Sequence, residues 1–329
     1  RNFSEDIMSP EEFNHLSQHV VPVLIDARPF GSYSMVDIDE KGGVQVIVKE
    51  LLNAGLLNGD TLTCTGETLS EQIDRLNPPV PDGTVIYTVE KPYKPTGGLR
   101  VLGGNLSPEF SSVLKLAGVE GGLDNNKFVG KARVFDGEEG LRYSLETEPD
   151  VFQDNDMIIV RYEGPSGAPG MPEMLDSTSR ITTLCRENNI VVGLMTDGRF
   201  SGGSVGLVIG HVGPEAALGG EIAFIENGDE IIIDLDINEI NCTELKNANT
   251  LESRKTKWKK VVDENGGMHP SVGNADTRLL NRMRRSAVAA IYGAGMHPDR
   301  QLWVNDERKP IRTTFIPSNK YRPNAEKTF

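Results

Sequence analysis

Short apolar runs separated by glycine dominate the middle of the sequence. They occur at residues 84–89, 99–103, 131–135, 157–161, 190–195, 222–225 and 230–237. Between them the pattern predicts only short helices, near residues 107–117, 177–187 and 204–211. Several short strands at this spacing are typical of a barrel or a closed mixed sheet, and not of a doubly wound sheet. We therefore predict a strand-dominated core between residues 84 and 240.

Helical spacing is more evident before this region. Ser9 precedes Pro10 and two glutamates, a typical helix start, and residues 20–25 form an extended apolar run. Apolar side chains recur at helical spacing over residues 44–52, and residues 68–76 predict another short helix. These features indicate alternating helices and extended segments.

The change of pattern near residue 82 predicts two domains. Residues 1–82 are expected to be the end of an N-terminal α/β domain. Residues 83–329 are expected to form a β-barrel-like C-terminal domain flanked by helices, with a helical tail. The predicted fold class is α+β.

Composition narrows the function. The chain has 329 residues and a net charge of −14, from 34 basic and 48 acidic residues. Such a charge disfavours binding to nucleic acid or anionic membranes and favours small molecules and metal ions. The basic run at residues 254–260 is expected to be a solvated helix face, with a nucleic-acid patch as the alternative.

The cysteines and the apolar stretches indicate a cellular setting. No run of about 18 apolar residues occurs, so we expect no membrane span and a cytoplasmic protein, or one of an organelle matrix. Cys64, Cys185 and Cys242 are widely spaced and none belongs to a CxxC pair. We expect buried, reduced thiols in place of a disulfide framework, a zinc site or an iron–sulfur site.

Glu163 is the first candidate for chemistry. It follows the strand predicted at residues 157–161 and begins a loop rich in glycine and proline. A carboxylate at a strand end suits Mg²⁺, which prefers oxygen ligands. The alternative is a rigid connector that carries a solvated carboxylate.

Ser201 is the second candidate. The sequence TDGRFSGGS over residues 196–204 follows an apolar strand and precedes a predicted helix. A serine at a helix N-terminus is well placed to stabilise an anion, either its own alkoxide or a substrate carboxylate. Equally, Ser201 or Ser204 could only cap that helix. His211, placed on the same predicted helix, is expected to be a packing residue.

Taken together, these stretches resemble the dihydroxyacid and sugar-acid dehydratases. The resemblance covers about residues 20–250. It rests on KGGV (41–44), ELL (50–52), GD (59–60), TGETL (65–69), GNL (104–106), KFVGKA (127–132), RYEGPSGAPGMPEML (161–175), TDGRFSGG (196–203) and GHVGPEAA (210–217).

The resemblance implies a hydro-lyase that removes water across C2–C3 of a 2,3-dihydroxy acid to give a 2-oxo acid. By motif match Ser201 is the base for the C2 proton and Glu163 a Mg²⁺ ligand, and Ser201, Gly202 and Arg199 bind substrate. Arg199 could add positive charge to the site or pair with Asp197. The family's iron–sulfur cluster acts as the Lewis acid.

The resemblance also implies partners. None of the three cysteines lies in a cluster motif, so we expect the cluster to be held by an N-terminal segment that this sequence lacks. A homodimer is expected, because the family forms dimers. The loop at residues 161–175 favours the branched-chain enzymes of amino-acid biosynthesis, although residues 245–329 depart from the family's usual ending. Aldonic acid dehydration and a non-catalytic fragment that binds a metabolite or assists assembly are the alternatives.

Overall fold

The computed structural model describes residues 8–28, 31–115, 123–168, 170, 172–201, 206–272 and 277–296. Within them the chain forms two compact units, residues 8–98 and residues 99–296. The predicted division of domains at residue 82 concerns the whole protein and stays a prediction.

The first unit is a small α/β arrangement. Its helices are α1 (Pro10–His15), which continues into a π-helical turn (Leu16–Val20), α2 (Met35–Glu40), α3 (Val44–Asn53) and α4 (Leu69–Leu76). Capping boxes begin α1, α2 and α4, as predicted for Ser9 and with Ser34 and Thr68 in the same role. Its core contains Ile38, Val46, Val85 and Ile86.

The second unit is built on one sheet of eight strands. The strands are β1 (Leu99–Leu102), β2 (Ser112–Lys115), β3 (Lys127–Asp136), β4 (Asp156–Arg161), β5 (Gly193–Thr196), β6 (Leu207–Gly210), β7 (Glu230–Asp234) and β8 (Glu239–Cys242). Their order is β1-β2-β6-β5-β4-β3-β7-β8, with β3 to β6 parallel and the outer pairs antiparallel. The prediction of a barrel-like mixed sheet is confirmed.

A short seam brings the two ends of this sheet together. The Gly103 amide donates to the Asn238 carbonyl at 2.8 Å, and the Ile240 amide donates to the Gly103 carbonyl at 2.9 Å. The Asn105 side chain then continues the pairing, because its amide group donates to the Cys242 carbonyl and its oxygen accepts from the Cys242 amide, both at 2.8 Å. The Leu106 amide also donates to the Ile240 carbonyl at 3.3 Å, so backbone hydrogen bonds and the Asn105 side chain together close the barrel.

The two faces of the sheet bury different residues. On β4, Met157 and Ile159 belong to the core inside the barrel, whereas Ile158 and Val160 belong to a second core. The second core is completed by residues of the two flanking helices, α5 (Glu138–Thr147) and α6 (Leu175–Asn188). Burial on both faces explains the continuous apolar run of this strand.

Several predicted elements were wrong. The helix predicted at residues 107–117 is a turn followed by β2, whose alternating burial is that of a half-buried strand. The helix predicted at residues 204–211 is β6 from residue 207 onward, and its residues are all buried. Residues 222–224 belong to a 3₁₀ turn (Glu221–Phe224), and in residues 84–89 only Ile86 is bridged.

Two further helices follow the barrel, α7 (Ala248–Glu264) and α8 (Arg278–Ser286). The basic run lies on α7, where Lys257 and Lys260 are exposed as predicted and Arg254 is instead mostly buried against Asp229. None of the described helices is long and apolar enough to cross a membrane.

The seam yields a test of barrel closure. A Cβ at Gly104 would lie 2.3 Å from the Ile240 carbonyl oxygen, and Gly104 has a φ of +101°. We expect Gly104→Ala to lower the free energy of unfolding by more than about 2 kcal/mol in a urea titration. Gly228→Ala is the control, since Gly228 has a φ of +88° but open space around it. Equal losses in the two variants would contradict a closed seam.

Candidate active site

The candidate site is built where β4 and β5 end. These neighbouring strands are parallel, with Val160 opposite Thr196, so the residues that follow them meet at one edge of the sheet. The Asp197 carboxylate joins the two strand ends by accepting from the Tyr162 amide at 3.0 Å and the Glu163 amide at 2.9 Å. It also accepts from the Ala216 amide at 2.9 Å, in the segment after β6.

One carboxylate oxygen of Glu163 is held by a hydrogen bond, and no described residue forms an ion pair with this side chain. Its Oε1 atom accepts from the Glu138 amide at 2.8 Å, at the start of α5. Burial raises the pKa of Glu163 to about 7, and the nearby carboxylates of Asp197, Glu138 and Glu139 add to this effect. A buried carboxylate among like charges favours binding of a cation or a proton.

A third carboxylate, Glu215, is buried in the same region. Its Oε2 atom accepts from the amides of Ser166 at 2.9 Å and Gly167 at 3.3 Å, while Oε1 has no partner among the described residues. Burial raises the pKa of Glu215 to about 8, with the Asp197 charge contributing, and burial also raises the pKa of Asp197. No ion pair among the described residues includes Glu163, Asp197 or Glu215.

Two glycines allow these segments to approach closely. A Cβ at Gly164 would lie 2.3 Å from Glu215 Oε2, and one at Gly198 would lie 2.8 Å from the Glu163 carbonyl oxygen. Any larger residue at either position would push a carboxylate out of place. Both glycines therefore serve the packing of the site, and the loop is not a phosphate cradle.

Ser201 lies in irregular chain after β5 and is half-buried. The helix predicted over residues 204–211 is wrong from residue 207 onward, because that part of the chain forms β6. Residue 204 and the predicted substrate-binding Gly202 lie outside the described residues. Ser201 is three residues from Gly198, which limits its distance from that glycine to about 11 Å.

Arg199 does not pair with Asp197. Its guanidinium lies 3.7 Å from a carboxylate oxygen of Glu173, at the surface, while Asp197 is occupied by three amides. Of the two hypotheses for Arg199, the ion pair with Asp197 is wrong, and a positive charge beside the site stays a prediction.

His211 lies beside the loop that follows β5, and it is not on a helix. It is the first residue after β6 and has a φ of +58°, and its amide donates to the Gly198 carbonyl at 2.8 Å. Its Nδ1 atom is buried without a partner among the described residues, and burial, with Arg199 nearby, lowers the pKa of the imidazole. The predicted role of His211 as a packing residue stays a prediction, because its buried Nδ1 atom is not satisfied by the described residues.

The cysteines of this chain do not fit an iron–sulfur cluster. Cys64 is exposed, contrary to the expected burial, while Cys185 on α6 is half-buried and Cys242 in β8 is fully buried. Burial raises the pKa of Cys242 to about 12, which disfavours the thiolate that a cluster requires. Cys242 lies near Asp229 and Glu244, but Arg254 already binds Asp229 through two nitrogens.

Comparison with known proteins shows which family the chain belongs to. Residues 84–294 match the sequence model of the dihydroxy-acid/6-phosphogluconate dehydratase C-terminal domain, and residues 5–72 match that of the N-terminal domain. The chain belongs to this dehydratase family. The predicted resemblance is confirmed over most of the sequence. Because the match continues to residue 294, the predicted departure from the family at residue 245 was wrong as far as that position.

Relatives named dihydroxy-acid dehydratase occur in several organisms. The chain is 44% identical over 249 residues to a dihydroxy-acid dehydratase of Acidothermus cellulolyticus. The aligned region covers 75% of this chain and 42% of the relative. It is 44% identical over 251 residues to that of Pyrobaculum aerophilum, with the same shares, and 45% identical over 228 residues to that of Mycobacterium leprae, with shares of 69% and 39%. The chain thus spans about two fifths of the length of these relatives.

The sequence pattern does not reveal the roles of Asp197 and Glu215. Both lie in the motifs at residues 196–203 and 210–217, and for Asp197 the sequence suggests only an ion pair. The sequence does contain an indication for Glu215. It is the single carboxylate in the mostly apolar residues 206–218, so it must be either exposed to solvent or buried with hydrogen-bond partners. Nothing in the sequence indicated that Asp197 binds amides 34 and 35 residues before it.

The Glu215 environment predicts a pH-dependent stability. Its folded pKa of about 8 exceeds the ordinary value of 4.5, so its stabilising contribution is complete below about pH 4.5 and is lost as pH rises through about 8. Glu215→Gln cannot ionise and should reduce this loss by on the order of a few kcal/mol. Urea unfolding between about pH 5 and about pH 8, without added metal, measures it. The same pH slope in the variant as in the parent would contradict the prediction, and exposed Glu252→Gln is the control.

Proposed function

We propose that the chain forms part of a dihydroxy-acid dehydratase and contributes the cation ligand Glu163 and the base Ser201. The observation that carries this proposal is the Asp197 bridge, which ties the backbone of Glu163 to the loop that leads to Ser201. Membership of the dehydratase family and relatives named dihydroxy-acid dehydratases support the same activity.

Mg²⁺ fits the residues present. A buried carboxylate with one oxygen held by an amide, surrounded by further carboxylates and lacking an ion-pair partner among the described residues, matches the oxygen ligands that Mg²⁺ takes. When bound, the cation would polarise the substrate oxygens that it contacts. Glu163 would hold it, and other ligands would come from elsewhere in the longer protein.

Loss of water across C2–C3 has two requirements, removal of the C2 proton and departure of the C3 hydroxyl. Ser201 would remove the proton, and Arg199, two residues earlier in the chain, would add the positive charge that helps a serine to act as a base. Asp197 is unsuited to that task, because three amides occupy its carboxylate. The enol that forms would rearrange to the 2-oxo acid. The cysteines of this chain offer no site for a cluster that would assist departure of the C3 hydroxyl.

The proposed substrate is a branched-chain 2,3-dihydroxy acid, such as 2,3-dihydroxyisovalerate. The loop at residues 161–175 favours a branched-chain substrate, and the names of the relatives support a dihydroxy acid. Rates with 2,3-dihydroxyisovalerate and with several aldonic acids, measured on the full-length protein, test this choice. Preference for an aldonic acid would overturn it.

Ser201→Ala tests the base. A small residue replaces another, so the fold should persist, while turnover should fall on the order of 10² to 10⁴. The measurement is formation of the 2-oxo acid by the full-length protein at saturating substrate. Ser179→Ala, on the exposed face of α6, removes a hydroxyl far along the chain and should leave turnover unchanged. Near-normal turnover in Ser201→Ala would reject this serine as the base.

Glu163→Gln tests the cation ligand. The amide side chain can still accept from the Glu138 amide, but it loses the charge that binds Mg²⁺. The Mg²⁺ concentration for half-maximal activity should rise at least about tenfold, with activity partly restored at high Mg²⁺. Exposed Glu187→Gln is the matched control. An unchanged Mg²⁺ requirement in Glu163→Gln would show that the cation binds elsewhere.

A further inference from the structure

Tyr162, which precedes Glu163, has an unusual backbone. Its φ of +70° lies in the left-handed region, which is costly for a large aromatic residue and persists only where the surroundings hold it. The side chain is 2% exposed. The position of Glu163 depends on this residue, since the two share a peptide bond and both donate to Asp197.

The Tyr162 side chain is held by two residues from beyond the barrel. Its ring stacks on His269 with centroids 4.6 Å apart and an angle of 10° between the planes. Its hydroxyl accepts from Trp258 Nε1 at 3.1 Å. Trp258 lies parallel to His269, so the three rings form one aromatic stack.

The stack is anchored to the barrel. Trp258 is on α7, and it packs edge-on against Phe224, 6.1 Å between centroids. One turn earlier on the same helix, Arg254 donates to the Phe224 carbonyl at 3.0 Å and to both oxygens of Asp229. These contacts attach helix α7 to the barrel, and α7 in turn positions the Tyr162 side chain.

We propose that Trp258 and His269 are positioning residues that hold Tyr162 in its left-handed conformation and thereby fix the Glu163 carboxylate for the cation. The inference rests on the proposed role of Glu163. It gives α7 and residue 269 a task in the site, although neither is part of the loops that form it. Without the stack, Glu163 must be ordered at the moment of binding, and affinity for the cation falls.

The experiment measures Mn²⁺ binding to the full-length protein, from the electron paramagnetic resonance signal of the free ion. Mn²⁺ prefers the same oxygen ligands as Mg²⁺. Trp258→Phe keeps an aromatic ring beside Phe224 but removes the indole N–H, and Tyr162→Phe removes the hydroxyl. Each should raise the Mn²⁺ dissociation constant about 3- to 10-fold, as expected for one hydrogen bond. Turnover at saturating Mg²⁺ should change by less than about twofold.

A double-mutant cycle tests whether the two variants act through the hydrogen bond between Trp258 and Tyr162. Because both changes remove the same hydrogen bond, the double variant should bind Mn²⁺ no more weakly than either single variant. His269→Leu, which removes the stack by another route, should also weaken binding. Tyr143→Phe makes the same chemical change on an exposed tyrosine of α5 and should have no effect.

The outcomes separate the two proposals. If Glu163→Gln weakens Mn²⁺ binding while Trp258→Phe and Tyr162→Phe do not, the positioning role is wrong and the cation site stands. If Glu163→Gln leaves binding unchanged, the proposed function fails, and the positioning role fails with it. Additive losses in the double variant would also overturn the proposal, because they would show that the two residues act separately.

Discussion

The Asp197 carboxylate is the interaction on which the candidate site depends. It accepts hydrogen bonds from three backbone amides, two after β4 and one after β6, and it is itself the first residue after β5. Three consecutive strands of the parallel part of the sheet thus end on a single side chain. An anion that satisfies buried amides stabilises the native state, but its charge stays in a region of low dielectric. That charge disfavours ionisation of Glu163 and Glu215.

The cost of this arrangement is visible in the neighbouring carboxylates. Glu215 has one oxygen without a partner among the described residues, and Glu163 has no ion pair among them. Proteins seldom gather buried acids without compensation unless a cation or a proton belongs there. The closed barrel and the two flanking helices hold the backbone rigidly. The buried carboxylates therefore stay close together, whereas in a more flexible fold they would move apart or reach solvent.

The sequence predicted the barrel and the place of Glu163 after a strand, because the ends of buried strands can be recognised in a sequence. Residues 157–160 and 190–195 are apolar on both faces, so the first polar residues after them mark the sheet edge. It failed at β6, where four apolar residues fit a buried strand and a short helix equally well. The role of Asp197 was also beyond sequence patterns, since it arises only when β4 and β5 pair. The same holds for Trp258, which meets Tyr162 across 96 residues.

The double burial of β4 limits how this region can change over evolution. Met157 and Ile159 serve the barrel interior while Ile158 and Val160 serve the helical layer, so inserting one residue into the strand would exchange the two sets. Loops that follow strands commonly accept insertions, but this strand cannot absorb one by slipping. We expect differences in substrate choice among related enzymes to accumulate as changes of loop length after Glu163, while the spacing from Asp156 to Glu163 stays constant.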